Sequence, residues 1–167
     1  MNSIYEYQLN LITYKQRYKR QRHFSQRLRL IVPEDKSALV NLILSGFLNH
    51  PAYEQQHRTA AEQDIEAYFG GKVHSPLLNC SCGYWKEQIL IGACLISYWK
   101  ERECPLIDCL VVLNNYKNRN ISSVIFQASL DRLTLAGYSE VRAVISDENA
   151  LPKHLAQRLG FTKLEKL

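Results

Sequence analysis

From Leu28 to Phe161 the apolar residues of this chain switch repeatedly between a period of two and a period near 3.6, and that alternation restricts the fold more than any other feature. Leu28, Leu30 and Val32 mark a strand that Pro33-Glu34-Asp35 stops. Leu39, Val40, Ile43, Leu44 and Phe47 then predict an amphipathic helix over 36–48, ended by Asn49-His50-Pro51. A second helix is expected from Thr59, whose hydroxyl would cap the first turn while Glu62 reaches back to it, and Gly70-Gly71 closes that helix. Strand-like runs follow at 77–85 and 89–99, joined by Lys86-Glu87-Gln88 as an antiparallel hairpin, and a third covers 106–113. The pattern finishes with a long helix over 121–136, a strand over 140–146, and a helix that carries Pro152 in its first turn and ends at Gly160. The order β-α-α-β-β-β-α-β-α-β predicts an α+β fold, a mixed and mostly antiparallel sheet flanked by about four helices.

A chain of 167 residues suits one domain. No apolar run approaches the roughly 20 residues of a membrane span, and there is no secretory h-region, so a soluble cytoplasmic protein without a membrane partner is expected. The formal charge of +5 is unevenly placed. Residues 1–29 carry seven lysines and arginines against Glu6 alone, a net of +6, which leaves −1 for the remainder. This divides the chain into a basic arm, 1–27, and a domain, 28–167. Within the arm Tyr5, Tyr7, Leu9 and Leu11 alternate like an extra strand, and 15–23 read as a charged connector or helix. Such an arm can hold nucleic acid or an acidic protein, but a solvated basic face is commoner, so nucleic acid is not the expected partner. The five cysteines are odd in number and form no C-x-x-C pair; reduced structural thiols without a metal are expected.

Chemistry concentrates at Asn115-Tyr-Lys-Asn-Arg-Asn-Ile-Ser-Ser123, a polar loop between a strand and a helix, where the first amides of the helix are available to an anion. Over about residues 28–161, and most specifically from Asp108 to Phe161, the order of elements resembles the GNAT superfamily of acyl-CoA-dependent N-acetyltransferases, with Val112, Tyr116, Lys117, Gly137, Asn149, Leu159, Gly160 and Phe161 at matching places. The resemblance implies a single GNAT-like domain that transfers an acyl group, typically acetyl, from acyl-CoA to a primary amine of a small molecule or peptide within a ternary complex. Its implied CoA contacts are the backbone of Leu110, Val111 and Val112, from a bulge that splays the strand; the loop residues Lys117, Asn118, Arg119, Asn120, Ile121 and Ser122; and Asn149 on the pantetheine arm. Asn118, Asn120 and Ser122 stand where the family has glycine or another small residue. Asparagine tolerates left-handed backbone and serine caps helices, so the cradle can survive the exchange.

Transfer to an amine needs a group to take its proton. Asp108 and His50 are the candidates: a carboxylate on the central strand, whose pKa a cleft would raise, and a histidine in the loop expected between the first two helices, beside His57. A strand-edge carboxylate can also serve merely as a cap or salt bridge. Ala156 stands where many family members carry a general-acid tyrosine, a departure shared with the branch that acetylates ribosomal-protein amino termini. Two other functions fit the residues: a GNAT-shaped binding or assembly module without catalysis, and binding through the arm. The family also closes with two strands after Gly-Phe, and the few residues after Phe161 supply one. Ile4 to Ile12, or the second subunit of a homodimer, is therefore expected to cover the sheet edge.

Overall fold

The computed structural model describes residues 3–17, 26–47, 54–146 and 150–167. In chain order these form β1 (Ile4–Asn10), α1 (Leu11–Arg17), β2 (Leu28–Leu30), α2 (Lys36–Phe47), α3 (Glu54–Phe69), β3 (Ser75–Pro76), β4 (Cys82–Lys86), β5 (Ile89–Trp99), β6 (Cys104–Val112), α4 (Ile121–Leu135), β7 (Glu140–Ser146), α5 (Ala150–Leu159) and β8 (Thr162–Lys166). The strands build one sheet in the order β2-β4-β5-β6-β7-β1-β8, with β3 beside β5. β6 and β7 run parallel and every other pair is antiparallel. The architecture is the expected α+β one, with eight strands and five helices among the described residues.

β5 runs eleven residues because it is apolar on both sides. Leu90, Ala93 and Leu95 pack with Leu39, Leu42, Ala61 and Ile65 from α2 and α3, while Ile91, Cys94 and Ile96 join Ile125, Leu130 and Leu133 of α4, Tyr7 and Leu9 of β1, and Val141 of β7. Two cores therefore clamp the sheet, each with a helix layer. Their helices sit close: a Cβ on Gly92 would lie 2.5 Å from Cδ1 of Ile125 and 3.2 Å from Cγ2 of Val112.

Three elements depart from the sequence reading. α3 begins at Glu54, so Thr59 lies inside it instead of capping it. Glu54, Gln55 and Gln56 favour helix and continue the ladder upstream, which leaves the hydroxyl without orphan amides to bond. The run 77–85 is interrupted before β4 by a turn in which Cys80 N–H donates to Leu77 O at 2.9 Å. Ser81 causes the break: its Oγ accepts from Ile96 N–H at 2.9 Å and donates to Leu77 O at 3.0 Å, replacing ladder bonds with side-chain bonds.

The third is β1, a strand as expected but inside the sheet instead of at its edge. It lies between β7 and β8, paired with both, and β8 forms the outer edge. Its alternation explains the position. Tyr7 and Leu9 enter the α4-side core, while Glu6 turns to the other face, buried in an ion pair with Arg102 at 3.0 Å and in a hydrogen-bonded pair with Arg142. A buried carboxylate requires such partners.

Candidate active site

β6 pairs with β7 at Leu106–Arg142 and Ile107–Ala143 only. Beyond Ile107, β6 stays with β5 as far as Val112, while β7 follows β1 up to Ser146. The two parallel strands therefore part, and the β6 backbone from Asp108 to Val112 has no ladder partner on the β7 side among the described residues. The cause is a bulge in β6. Leu95 opposes Cys109 and Ile96 opposes Ile107, so Asp108 is an extra residue. The insertion reverses the alternation: Ile107 and Leu110 pack on the α4 side, Cys109 and Val111 on the α2–α3 side. The expected bulge at Leu110–Val112 lies elsewhere; those residues pair regularly with Cys94, Ala93 and Gly92. An unpaired carboxylate is the residue an apolar strand can least absorb, and the bulge leaves Asp108 exposed.

At its end β6 leads through a tight turn over 114–116 into the polar loop. Asn118 and Asn120 adopt left-handed backbone, φ 61° and 62°, the conformation glycine would supply. The ladder of α4 starts with Val124 N–H on Asn120 O at 3.1 Å, so the amides of Ile121, Ser122 and Ser123 have no partner within it. Asn120 itself makes no side-chain cap bond. Lys117 is drawn away, its Nζ donating to Gly46 O at 3.2 Å. Arg119 and Lys86 gather on Tyr116 instead, at 5.3 and 5.6 Å from its ring centre. Left-over amides, a positive helix end, two left-handed residues and cations nearby are the donor set a diphosphate needs.

Asp108 meets several polar groups on the α2–α3 side. Ser97 Oγ, buried and without another hydrogen bond, favours its charged form, as does the charge of His74. Although the side chain reaches the surface, the protein packed around its carboxyl outweighs both and pushes it up to about 6. Its charge in turn adds to the burial that raises Tyr68, and Cys109 to about 12. Tyr68 is engaged elsewhere, its hydroxyl 2.8 Å from Ser81 Oγ and 3.0 Å from Ile96 O. Cys109 therefore stays a thiol at neutral pH, and Asp108 is the group here that exchanges a proton. His50 and Asn149 lie outside the described residues. His57 belongs to α3, not to a loop. His74, Ser97 and Tyr68 carry no motif; only the pairing of β5 with β6 sets Ser97 beside the strand that carries Asp108. Among the described residues no three His, Cys, Asp or Glu side chains are grouped to hold a metal, and no helix is long and apolar enough to cross a membrane.

No protein-family model and no curated protein matches the sequence. Solved structures do match. An acetyltransferase of the GNAT family from Colwellia psychrerythraea superposes with a TM-score of 0.70 over 99% of this chain, at 14% identity. The chain has the GNAT fold. It spans 54% of the Colwellia protein's length. The ribosomal-protein-S18-alanine N-acetyltransferase of Escherichia coli matches over 83% of this chain and 78% of its own, with a TM-score of 0.65 and 12% identity. An aminoglycoside N-acetyltransferase solved with CoA matches over 84% and 90%, with a TM-score of 0.61 and 18% identity. On this GNAT fold Ala156 is buried, its carbonyl accepting from Phe161 N–H at 2.9 Å, so α5 offers no hydroxyl at that position.

Proposed function

We propose that the chain is an acyl-CoA-dependent N-acyltransferase, acting on a primary amine of a small molecule or peptide by direct transfer in a ternary complex. The observation that carries this reading is the parting of β6 from β7 at Asp108, on the same strand that leads into the left-handed Asn118–Asn120 loop. One opening thus adjoins both an anion cradle and a proton acceptor.

The amides of Ile121 to Ser123 receive the diphosphate of CoA, and the free edge of Leu110 to Val112 lines the slot for its pantetheine arm. Acyl-CoA supplies the activated thioester. Amides on that edge polarise the carbonyl, while the Asp108 carboxylate takes the proton of the incoming amine. With its midpoint near 6, Asp108 is charged at neutral pH and still a stronger base than an ordinary aspartate. The buried Ala156 leaves the departing thiolate to be protonated by water. That departure favours a second reading, a GNAT-shaped module that binds without catalysing.

Calorimetric titration with acetyl-CoA and desulfo-CoA tests the cradle, and release of free CoA over a panel of amines, peptides and aminoglycosides tests transfer. Binding with release supports the enzyme, and binding without release supports the module. Failure to bind any CoA species refutes the enzyme and leaves the module, binding something other than CoA.

A further inference from the structure

The α2–α3 face of the sheet runs on past the opening. The core beneath α2 and α3 draws on β5 and β6 but takes no residue from β7, β1 or β8, so among the described residues no apolar core covers that half of the face. Register fixes what lies there. Ile107 and Ala143 are the last pair of β6 and β7, and both pack into the α4-side core. The residues that follow them, Asp108 and Val144, therefore turn to the α2–α3 face, on the two sides of the opening where it begins. Val144 is paired with Glu6 of β1, and Ile4, two residues before Glu6, sits diagonally beside Val144 on the same face. Val144 and Ile4 are each 41% exposed.

The charged residues around this apolar pair satisfy one another. Glu6 lies between Arg102, at 3.0 Å, and Arg142. Arg142 Nε also meets Glu140 at 3.2 Å, and Gln8 Nε2 donates to the same carboxylate at 2.6 Å. Glu165 on β8 lies 2.9 Å from Arg102. Among the described residues of β6, β7, β1 and β8, Asp108 is then the one carboxylate that no arginine holds. An acceptor with several ammonium groups needs a negative partner for each that it brings out of water. This face offers one, with hydrocarbon next to it.

Resting on the acyltransferase reading, we propose that the acceptor is a small monoamine with an apolar body, an alkylamine or arylalkylamine, whose ammonium group meets Asp108 while its hydrocarbon lies across Val144 and Ile4. These two side chains then determine specificity by removing apolar surface of the acceptor from water. Spermidine and aminoglycosides are poor acceptors, because their additional ammonium groups would lie on Val144 and Ile4 or beside carboxylates that Arg102 and Arg142 already neutralise.

The test follows release of CoA from acetyl-CoA by the full chain with ethylamine, butylamine, hexylamine and phenylethylamine, and with spermidine, an aminoglycoside and a peptide alongside. A fully buried methylene is worth about fourfold, so on a shelf open to one side kcat/KM should climb roughly threefold per methylene along the alkyl series. Val144→Thr and Ile4→Thr keep the β-branched shape of the strand residue and replace apolar contact with a hydroxyl. Each should lower the hexylamine-to-ethylamine ratio of kcat/KM about threefold, with thermal melts confirming folding. A series without any climb, or spermidine, the aminoglycoside or the peptide as the best acceptor, overturns the shelf and leaves the transferase reading standing. So does a wild-type dimer that Val144→Thr dissociates in sedimentation, since the pair would then meet a second copy of the chain. No release of CoA with any acceptor, or acetyl-CoA that fails to bind, overturns the transferase reading and the shelf with it.

Discussion

Asn120→Asp separates the cradle from the fold, because the two respond with opposite signs. The side chain of Asn120 makes no cap hydrogen bond, so its exchange for an isosteric carboxylate breaks none. Aspartate, like asparagine, tolerates the left-handed backbone at φ 62°. A negative charge at the start of α4 also interacts favourably with the helix dipole, by about 0.3–1 kcal/mol. The folded chain should therefore melt at the same temperature or slightly higher. Facing a diphosphate, the same charge repels. At roughly 5 Å one unit charge costs about 1 kcal/mol at the dielectric of water and about 3 kcal/mol at the effective value near a protein surface. The affinity for CoA should fall by roughly five- to 150-fold, and the gap should narrow as salt screens it. Paired calorimetric titrations and thermal melts read both quantities. Undiminished CoA affinity, or a loss of affinity accompanied by a large drop in melting temperature, would refute the assignment of this loop.

Asp108→Asn should lower kcat by about 10²–10⁴ with CoA affinity intact and abolish a rate limb near pH 6, as rate–pH profiles will show. The same carboxyl titrates in the folded chain near 6, above its unfolded value, so its contribution to stability is greatest below about pH 4 and falls as pH rises to 6. Denaturation midpoints should accordingly show Asp108→Asn gaining on the wild type across that window, and a constant difference contradicts the raised midpoint. Gly92→Ala should destabilise by about 1–3 kcal/mol in urea melts, since its Cβ would press on Ile125 and Val112; unchanged stability means that α4 packs less closely. Deleting residues 1–10 removes β1 from between β7 and β8, and hydrogen exchange should show protection lost in both strands, whereas a chain that keeps that protection contradicts the pairing.

Much of the fold was legible because it rests on local patterns. The span of β7, Glu140–Ser146, is the one its alternation predicts, and α4 ends one residue short of the predicted Ala136, before Gly137 with φ +89°. Thr59 shows the limit. A capping signature competes with the helix-forming residues before it, and no local rule decides that contest. Ser81 shows another, since the Ile96 amide that breaks its strand lies 15 residues away. The bulge is a third. Nothing in Leu106-Ile107-Asp108-Cys109-Leu110 says which residue is extra until β5 lies alongside.

The residues themselves determined that layers would form, because the period of apolar side chains is a property of each segment. They also determined that asparagine could occupy the left-handed positions before α4, a preference of the side chain for its own backbone. Tertiary pairing alone placed β1 inside the sheet, made Asp108 the surplus residue of β6, and set Ser97 on the neighbouring strand. Those outcomes depend on registers between segments distant in the chain, and a register is chosen by the hydrogen bonds and burial of both partners together.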